Sequence, residues 1–195
     1  MIVDSDAATL KSPSDSDSGF TLPEALVAVL VLTTGVIALA SLFCLSIQAN
    51  RAARATTVTT ILAMQKIEQL RTLQWSFDHL GLPLTDTSTD VSVVPFGNGG
   101  AGLSASPPGS LQRNVSGYVD YLDANGNWVG SGAAGKGAVW VRRWSIEPLP
   151  ADPDNTLILQ VLVTRAPGSV GTGSGSVPRM PEEARLVSVR TRKTP

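Results

Sequence analysis

Cysteine and histidine each occur once in 195 residues, as Cys44 and His79. A single cysteine excludes an internal disulfide and leaves the redox compartment unread. A Cys/His metal site or a Cys–His catalytic pair would have to join residues from different regions. No catalytic residue, metal site or cofactor is expected, and the chain is not read as an enzyme. Net charge is nearly absent too. Fifteen basic against 16 acidic side chains give −1, which argues neither for a nucleic-acid binder nor for an acidic solvating protein. That balance hides an asymmetry. Residues 1–19 hold Asp4, Asp6, Asp15 and Asp17 against Lys11 alone, and the rest holds 14 basic and 12 acidic side chains, about +2. The length suits one soluble domain plus a membrane segment, hardly two full domains.

The longest gap is in charge itself. From Ala25 to Asn50, 26 residues contain no Asp, Glu, Lys, Arg or His and are mostly Leu, Val, Ile and Ala. A helix crossing a hydrocarbon core needs about 20 such residues. The run is too long for a secretory apolar region, and no small-residue cleavage motif follows it. A wholly buried soluble helix of this length would need structure on all sides, more than a chain this small provides.

Just before the run stand Ser18, Gly19, Phe20, Thr21, Leu22, Pro23 and Glu24. A carboxylate at mid-membrane costs about 2.5–3.5 kcal/mol on insertion scales, so Glu24 needs a partner or a function. As a first-turn acid it also suits the positive end of the helix dipole. Gly-Phe-Thr-Leu-x-Glu followed by an apolar helix resembles the signal of type IV pilins and type II secretion pseudopilins. Residues 63–71, AMQKIEQLR, extend the likeness toward minor pilins of the PilV type and pseudopilins of the GspI type. It covers residue 19 to about 73. The resemblance implies that a prepilin peptidase cuts between Gly19 and Phe20 and methylates the new Phe20 amine. Glu24 then becomes the fifth mature residue. A cationic amine in an apolar filament core is expensive unless paired, and a neighbouring subunit's Glu24 would neutralise it.

The implied partners are the peptidase, other pilins or pseudopilins, the inner-membrane assembly platform and membrane lipid. The implied location is the inner membrane, single-pass with a periplasmic C-terminal domain, and then a pilus at the cell surface. Three features differ from the common pattern. Residues 14–18 are acidic where such leaders commonly carry Lys or Arg. Pro23 stands where Ile or Leu is usual, although a first helical turn tolerates proline because its missing N–H has no partner there anyway. Arg51 and Arg54 follow the apolar run, and the positive-inside rule alone would place the C-terminal part in the cytoplasm.

Beyond Asn50 the helical pattern continues. Ile61, Met64, Ile67 and Leu70 recur at three-residue spacing, with Leu73 and Phe77 extending the stripe, and Gly81 and Pro83 are expected to end the helix. From Pro23 to about Phe77 such a spine would be roughly 80 Å long at 1.5 Å per residue. The Thr56, Thr57, Thr59 and Thr60 cluster lowers its helix propensity.

The expected division is a leader at 1–19, a transmembrane and filament-core helix at 20–50, its amphipathic continuation at 51–80, and a globular antiparallel β domain at 81–195. Strands are expected at Val91–Val94, Val115–Leu122, Ala138–Glu147, Thr156–Thr164 and Ala184–Thr191. An Asn-Gly turn falls within 123–128. Trp140, Trp144 and Ile146 share a face suited to pack on the helix. Segments 97–110, 130–137 and 167–178 read as exposed loops. The fold class is α+β, a long N-terminal helical spine with a transmembrane first half, packed on a small antiparallel sheet in type IV pilin-like fashion.

Several motifs are better read as structure. Residues 130–136 fit G-x-x-x-x-G-K, but Gly137 replaces the Ser or Thr and a strand is expected to follow rather than a helix. Asp123, Asn125 and Asn127 have calcium-ligand spacing, yet glycine and glutamate are missing from their required places. Arg142, Arg143, Arg190, Arg192 and Lys193 lack an aromatic stacking pattern and read as solvated surface. No specific nucleic acid is expected. His79 reads as a helix-end cation and Cys44 as a small apolar residue. Two other readings share these features: a minor pseudopilin of a type II secretion system, and an uncleaved signal-anchored protein with a periplasmic ligand-binding or enzymatic domain.

Overall fold

A computed structural model describes residues 19–92, 97–98, 101–131, 134–166 and 183–192. The expected leader lies outside the described residues except for Gly19. The chain divides into two compact units, Met1–Ile47 and Gln48–Pro195.

Helix α1, Leu22–Thr72, is 51 residues long. Its Ala- and Leu-rich run favours the helix, and its threonines do not interrupt it. Their hydroxyls donate one turn back, Thr59 to Ala55 O at 3.1 Å and Thr60 to Thr56 O at 2.8 Å. Thr33, Thr34 and Ser41 do the same within the apolar run. A side-chain hydroxyl on an apolar helix is thereby satisfied internally.

In the second unit α1 buries Thr59, Leu62, Ala63, Lys66, Ile67 and Leu70. Ile61 and Met64, expected on the packing face, are 51% and 57% exposed instead. Three-residue steps drift about 60° per step around a 3.6-residue helix. Ile61 to Leu70 therefore sweeps from one side to the other, and the buried rows follow i+4: Leu62, Lys66 and Leu70 beside Thr59, Ala63 and Ile67.

The helix stops at Thr72, short of the expected Phe77. Strand β1, Trp75–Phe77, turns back on β2, Pro83–Thr85, with Trp75 opposite Thr85. The Asp78 carboxylate accepts the Leu80 and Leu82 amides at 2.8 and 2.7 Å, and Gly81 takes φ 77°. His79 is therefore an exposed hairpin residue and not a helix cap. The open helix end is closed from far along the chain, because the Arg190 guanidinium donates to Leu70 O (2.9 Å) and to Leu73 O. The Trp75 indole donates to Asn155 O at 3.0 Å.

Strands β3, Thr89–Asp90, and β4, Gly97–Asn98, form a short ladder. The strand expected at Val91–Val94 is displaced: Val91 and Ser92 form a turn after β3, and residues 93–94 lie outside the described residues. The main sheet is built from β5, Val119–Leu122; β6, Trp128–Gly130; β7, Trp140–Leu149; β8, Asp152–Arg165; and β9, Ala184–Thr191. Its order is β6-β5-β7-β8-β9, antiparallel throughout. Residues 115–118 stay outside β5. The short strand β6 was not expected. It follows an Asp123–Asn127 turn in which Gly126 has φ 84°, and a Cβ there would lie 2.9 Å from Leu62 Cδ2. The backbone angle favours glycine, and the Leu62 methyl would have to move aside for any Cβ there.

Trp140, Trp144 and Ile146 on β7 do share the inward face, and they join Leu157, Leu159, Val161 and Val163 of β8 and Leu62, Ala63, Ile67 and Leu70 of α1 in one core. On the other face Val119, Tyr121, Val141 and Ala166 form a smaller cluster. The protein therefore has an α+β architecture, a long apolar N-terminal helix whose later turns pack on an antiparallel sheet.

Leu70 is fully buried while Met64 faces solvent. Leu70→Ala should cost about 2–5 kcal/mol in urea unfolding of the full chain in detergent, and Met64→Ala less than about 0.5. Similar losses at both positions would refute the placement of the helix face.

Candidate functional site

The site suggested by the sequence is the entry to α1. Thr21 O accepts the Ala25 amide at 3.1 Å, which opens the helix around Pro23 and puts Glu24 in the first turn. Phe20 is 84% exposed, Glu24 is exposed, and a Cβ on Gly19 would meet nothing within 4 Å. Gly19, Phe20 and Glu24 thus form a short open segment accessible to another protein. No described residue forms an ion pair with Glu24. From Leu22 through Ile47 every side chain is exposed, including Leu26, Leu30, Ile37, Phe43 and Cys44. The helix is long and apolar enough to cross a membrane, and its most apolar window is uncovered by the described residues. A surface of this size left to water would be strongly unfavourable, at about 25 cal/mol per Å²; lipid or another protein is its natural cover.

A second charged cluster was missed in the sequence. Lys66 of α1 and Asp120 of β5 are both at 0% side-chain exposure, with Nζ 2.9 Å from Oδ2. Arg142 of β7 grips the same carboxylate with two bonds, Nε to Oδ1 at 3.0 Å and Nη2 to Oδ2 at 2.9 Å, and its Nη1 donates to Leu62 O at 2.9 Å. Lys66 also donates to Val91 O and stands 4.2 Å from the centre of the Trp144 ring. The Trp144 indole N–H itself is buried without an acceptor among the described residues. Two cations share one anion. Burial lowers the Lys66 ammonium from its ordinary 10.5 to about 8; Asp120 opposes that shift and Arg142 adds to it.

The parity of β7 held the clue. Trp140, Trp144 and Ile146 were expected to face inward, and Arg142 shares their parity. Lys66 likewise falls in the i+4 row with Leu62 and Leu70. The residue type suggested solvent while the position indicated core.

The remaining motifs are structural. Asp123 accepts from Asn125 N, Asn127 N and Asn127 Nδ2 at 2.8, 2.9 and 3.0 Å. The Asn127 side chain, followed by the turn amides, lowers its carboxyl pKa. Strand β7 does follow residues 130–136, so no helix N-terminus meets that loop; residues 132–133 lie outside the described residues. The arginines read as solvated are largely engaged. Arg142 is buried, Arg143 bonds Asn114 Oδ1 and Thr164 Oγ1, and Arg190 closes the helix. Arg192 donates to Ser76 O and Asp154 O and stacks 3.4 Å from the Trp75 ring centre. Lys193 lies outside the described residues. No group of three His, Cys, Asp or Glu among the described residues is placed to hold a metal.

Comparison with protein families, with curated proteins and with solved structures finds no match to this chain.

Two outcomes follow from the buried cluster. Asp120→Asn should cost about 3–5 kcal/mol, since it leaves buried cations without their counter-charge. The unfolding midpoint of the full chain in detergent reports this. Lys66 binds its proton less tightly in the fold than in the unfolded chain, so stability should be lowest below pH 8 and rise with pH above it toward 10.5. The rise is limited at its upper end by Tyr118, whose ionisation burial pushes above its ordinary 10.0. A thermal midpoint that falls between pH 8 and 9.5 would contradict this sign.

Proposed function

We propose that this chain is a minor subunit of a type IV pilin-like filament, made as a precursor, processed after Gly19 and held in membrane or filament by α1. The observation that carries this reading is the helix itself. It begins three residues after Gly19, has one acid, Glu24, in its first turn, leaves its apolar surface uncovered through Ile47, and continues unbroken to Thr72. Its later turns supply one wall of a small β domain's core. One helix that is apolar without cover at one end and half-buried at the other suits a subunit anchored by its N-terminal part and carrying a compact domain.

The role is assembly rather than catalysis. A prepilin peptidase would act on the open Gly19–Phe20 segment and methylate Phe20, and Glu24 would neutralise the resulting amine on a neighbouring subunit. Other pilins and the inner-membrane assembly platform are the partners, with the β domain periplasmic before assembly and on the cell surface in the filament. A minor pseudopilin of a type II secretion system needs the same signal, helix and domain. An uncleaved signal-anchored protein draws support from the acidic residues 14–18 and from Arg51 and Arg54 beyond the apolar run.

Mass spectrometry of membranes and of sheared filaments tests the reading. A peptide beginning at methylated Phe20 in the sheared fraction is expected for a pilus subunit. The same peptide confined to membranes indicates a pseudopilin or a base-restricted initiator, and an intact leader in both fractions refutes processing. Gly19→Ala should accumulate as precursor. Glu24→Ala should be cleaved but enter filaments poorly, and normal incorporation would sink the charge-pair role.

A further inference from the structure

On the buried side of α1, Leu62, Lys66 and Leu70 recur every four residues, extended by the partly buried Val58, with Thr59, Ala63 and Ile67 beside them. Without the lysine, the row of Val58, Leu62 and Leu70 would be apolar throughout. A slip of one turn, about 5.4 Å, would set Leu62 where Lys66 stands and Ala63 where Ile67 stands, apolar on apolar. Packed elements shift by such discrete one-turn steps rather than deforming continuously.

The other polar ties reach the helix only through backbone carbonyls. Arg142 bonds Leu62 O, and Arg190 bonds Leu70 O and Leu73 O. Leu62 O is an interior carbonyl that any turn could offer, whereas the Arg190 bonds mark the open helix end. Lys66 is different, because its ammonium is recognised by Asp120 from β5, by Val91 O beyond β3 and by the Trp144 face of β7. The ionisable groups around it are Asp120 and Arg142, with Asp90 of β3 more distant.

Lys66 is also surplus to charge balance. Arg142 alone satisfies both oxygens of Asp120, so removing the lysine leaves a balanced ion pair. A buried polar group that charge balance does not require, standing in an otherwise apolar row, matches the use of a single buried polar residue to set the register of packed helices. We propose that Lys66 is the register key of the spine helix, fixing which turn of α1 meets the sheet through its bonds to Asp120, Val91 and the Trp144 ring. This stands independently of the filament reading.

The test uses the full chain in detergent micelles, labelled with ¹⁵N. Its four tryptophans give four indole resonances in a single register. Lys66→Met should fold with a thermal midpoint equal to or above wild type at pH 7, and should show a second set of indole resonances populated on the order of 10% or more. The double variant Leu62→Lys with Lys66→Leu moves the cation one turn and should give a single set at new positions. Four unshifted resonances in Lys66→Met would overturn the proposal, as would a lowered midpoint or failure to fold. A double variant that is unfolded or retains the wild-type spectrum would overturn it as well.

Discussion

Asp120 accepts three bonds from two cations at zero exposure, and the seam between helix and sheet is organised around that carboxylate. A buried charge is tolerated only when its partners are in place. This requirement ties together three elements that apolar packing alone would leave free to slide. The helix brings Lys66, the β5 strand presents the acid and the β7 strand returns a guanidinium that also reaches Leu62 O. The Trp144 ring and Val91 O take the remaining surface of the ammonium. Around this polar centre the core is ordinary: leucine, isoleucine and valine from α1 and β8, with two tryptophans from β7.

The same helix obeys a different constraint earlier in the chain. From Leu22 through Ile47 its side chains are exposed among the described residues, and an α-helix is one of the few structures that can remain there, because its backbone bonds close internally. The hydroxyls of Thr33, Thr34 and Ser41 return their protons to carbonyls one turn back. Glu24 is the exception, an exposed acid at the head of an apolar run. An assembly partner carrying a positive charge at that level would answer both the charge and the bare surface.

Much of this architecture was legible from pattern. The uncharged run, the β9 strand, the inward face of Trp140, Trp144 and Ile146, and the Asn-Gly hairpin were readable because each depends on local periodicity or turn chemistry. The errors have physical causes. A three-residue spacing was taken for a helix face, so Ile61 and Met64 were placed inside although they face out. The helix was extended through Trp75 and Phe77, where the Asp78 turn and the Trp75 indole bond favour a hairpin. Residue type outweighed position at Lys66 and Arg142, because the pairing that makes their burial tolerable joins residues as much as 80 positions apart, as with Arg142 and Leu62. Arg190 and Arg192 were assigned to solvent for the same reason. At the entry to α1, the structure shows an open segment whose acid has no ion-pair partner among the described residues.

The closure of the α1 terminus by Arg190 sets an order of events. Leu70 O and its donor are 120 positions apart, and β9 reaches the sheet only by pairing with β8. The carbonyls at the end of the helix therefore wait, unsatisfied by this contact, until β9 has paired with β8. Loop closure over that span is entropically slow to reward. The N-terminal helix can form from its own local bonds, whereas its far end is completed by a residue 120 positions later. The long helix and its closure thus come from opposite kinds of bonding, one local to each turn and the other available only once β9 lies beside β8.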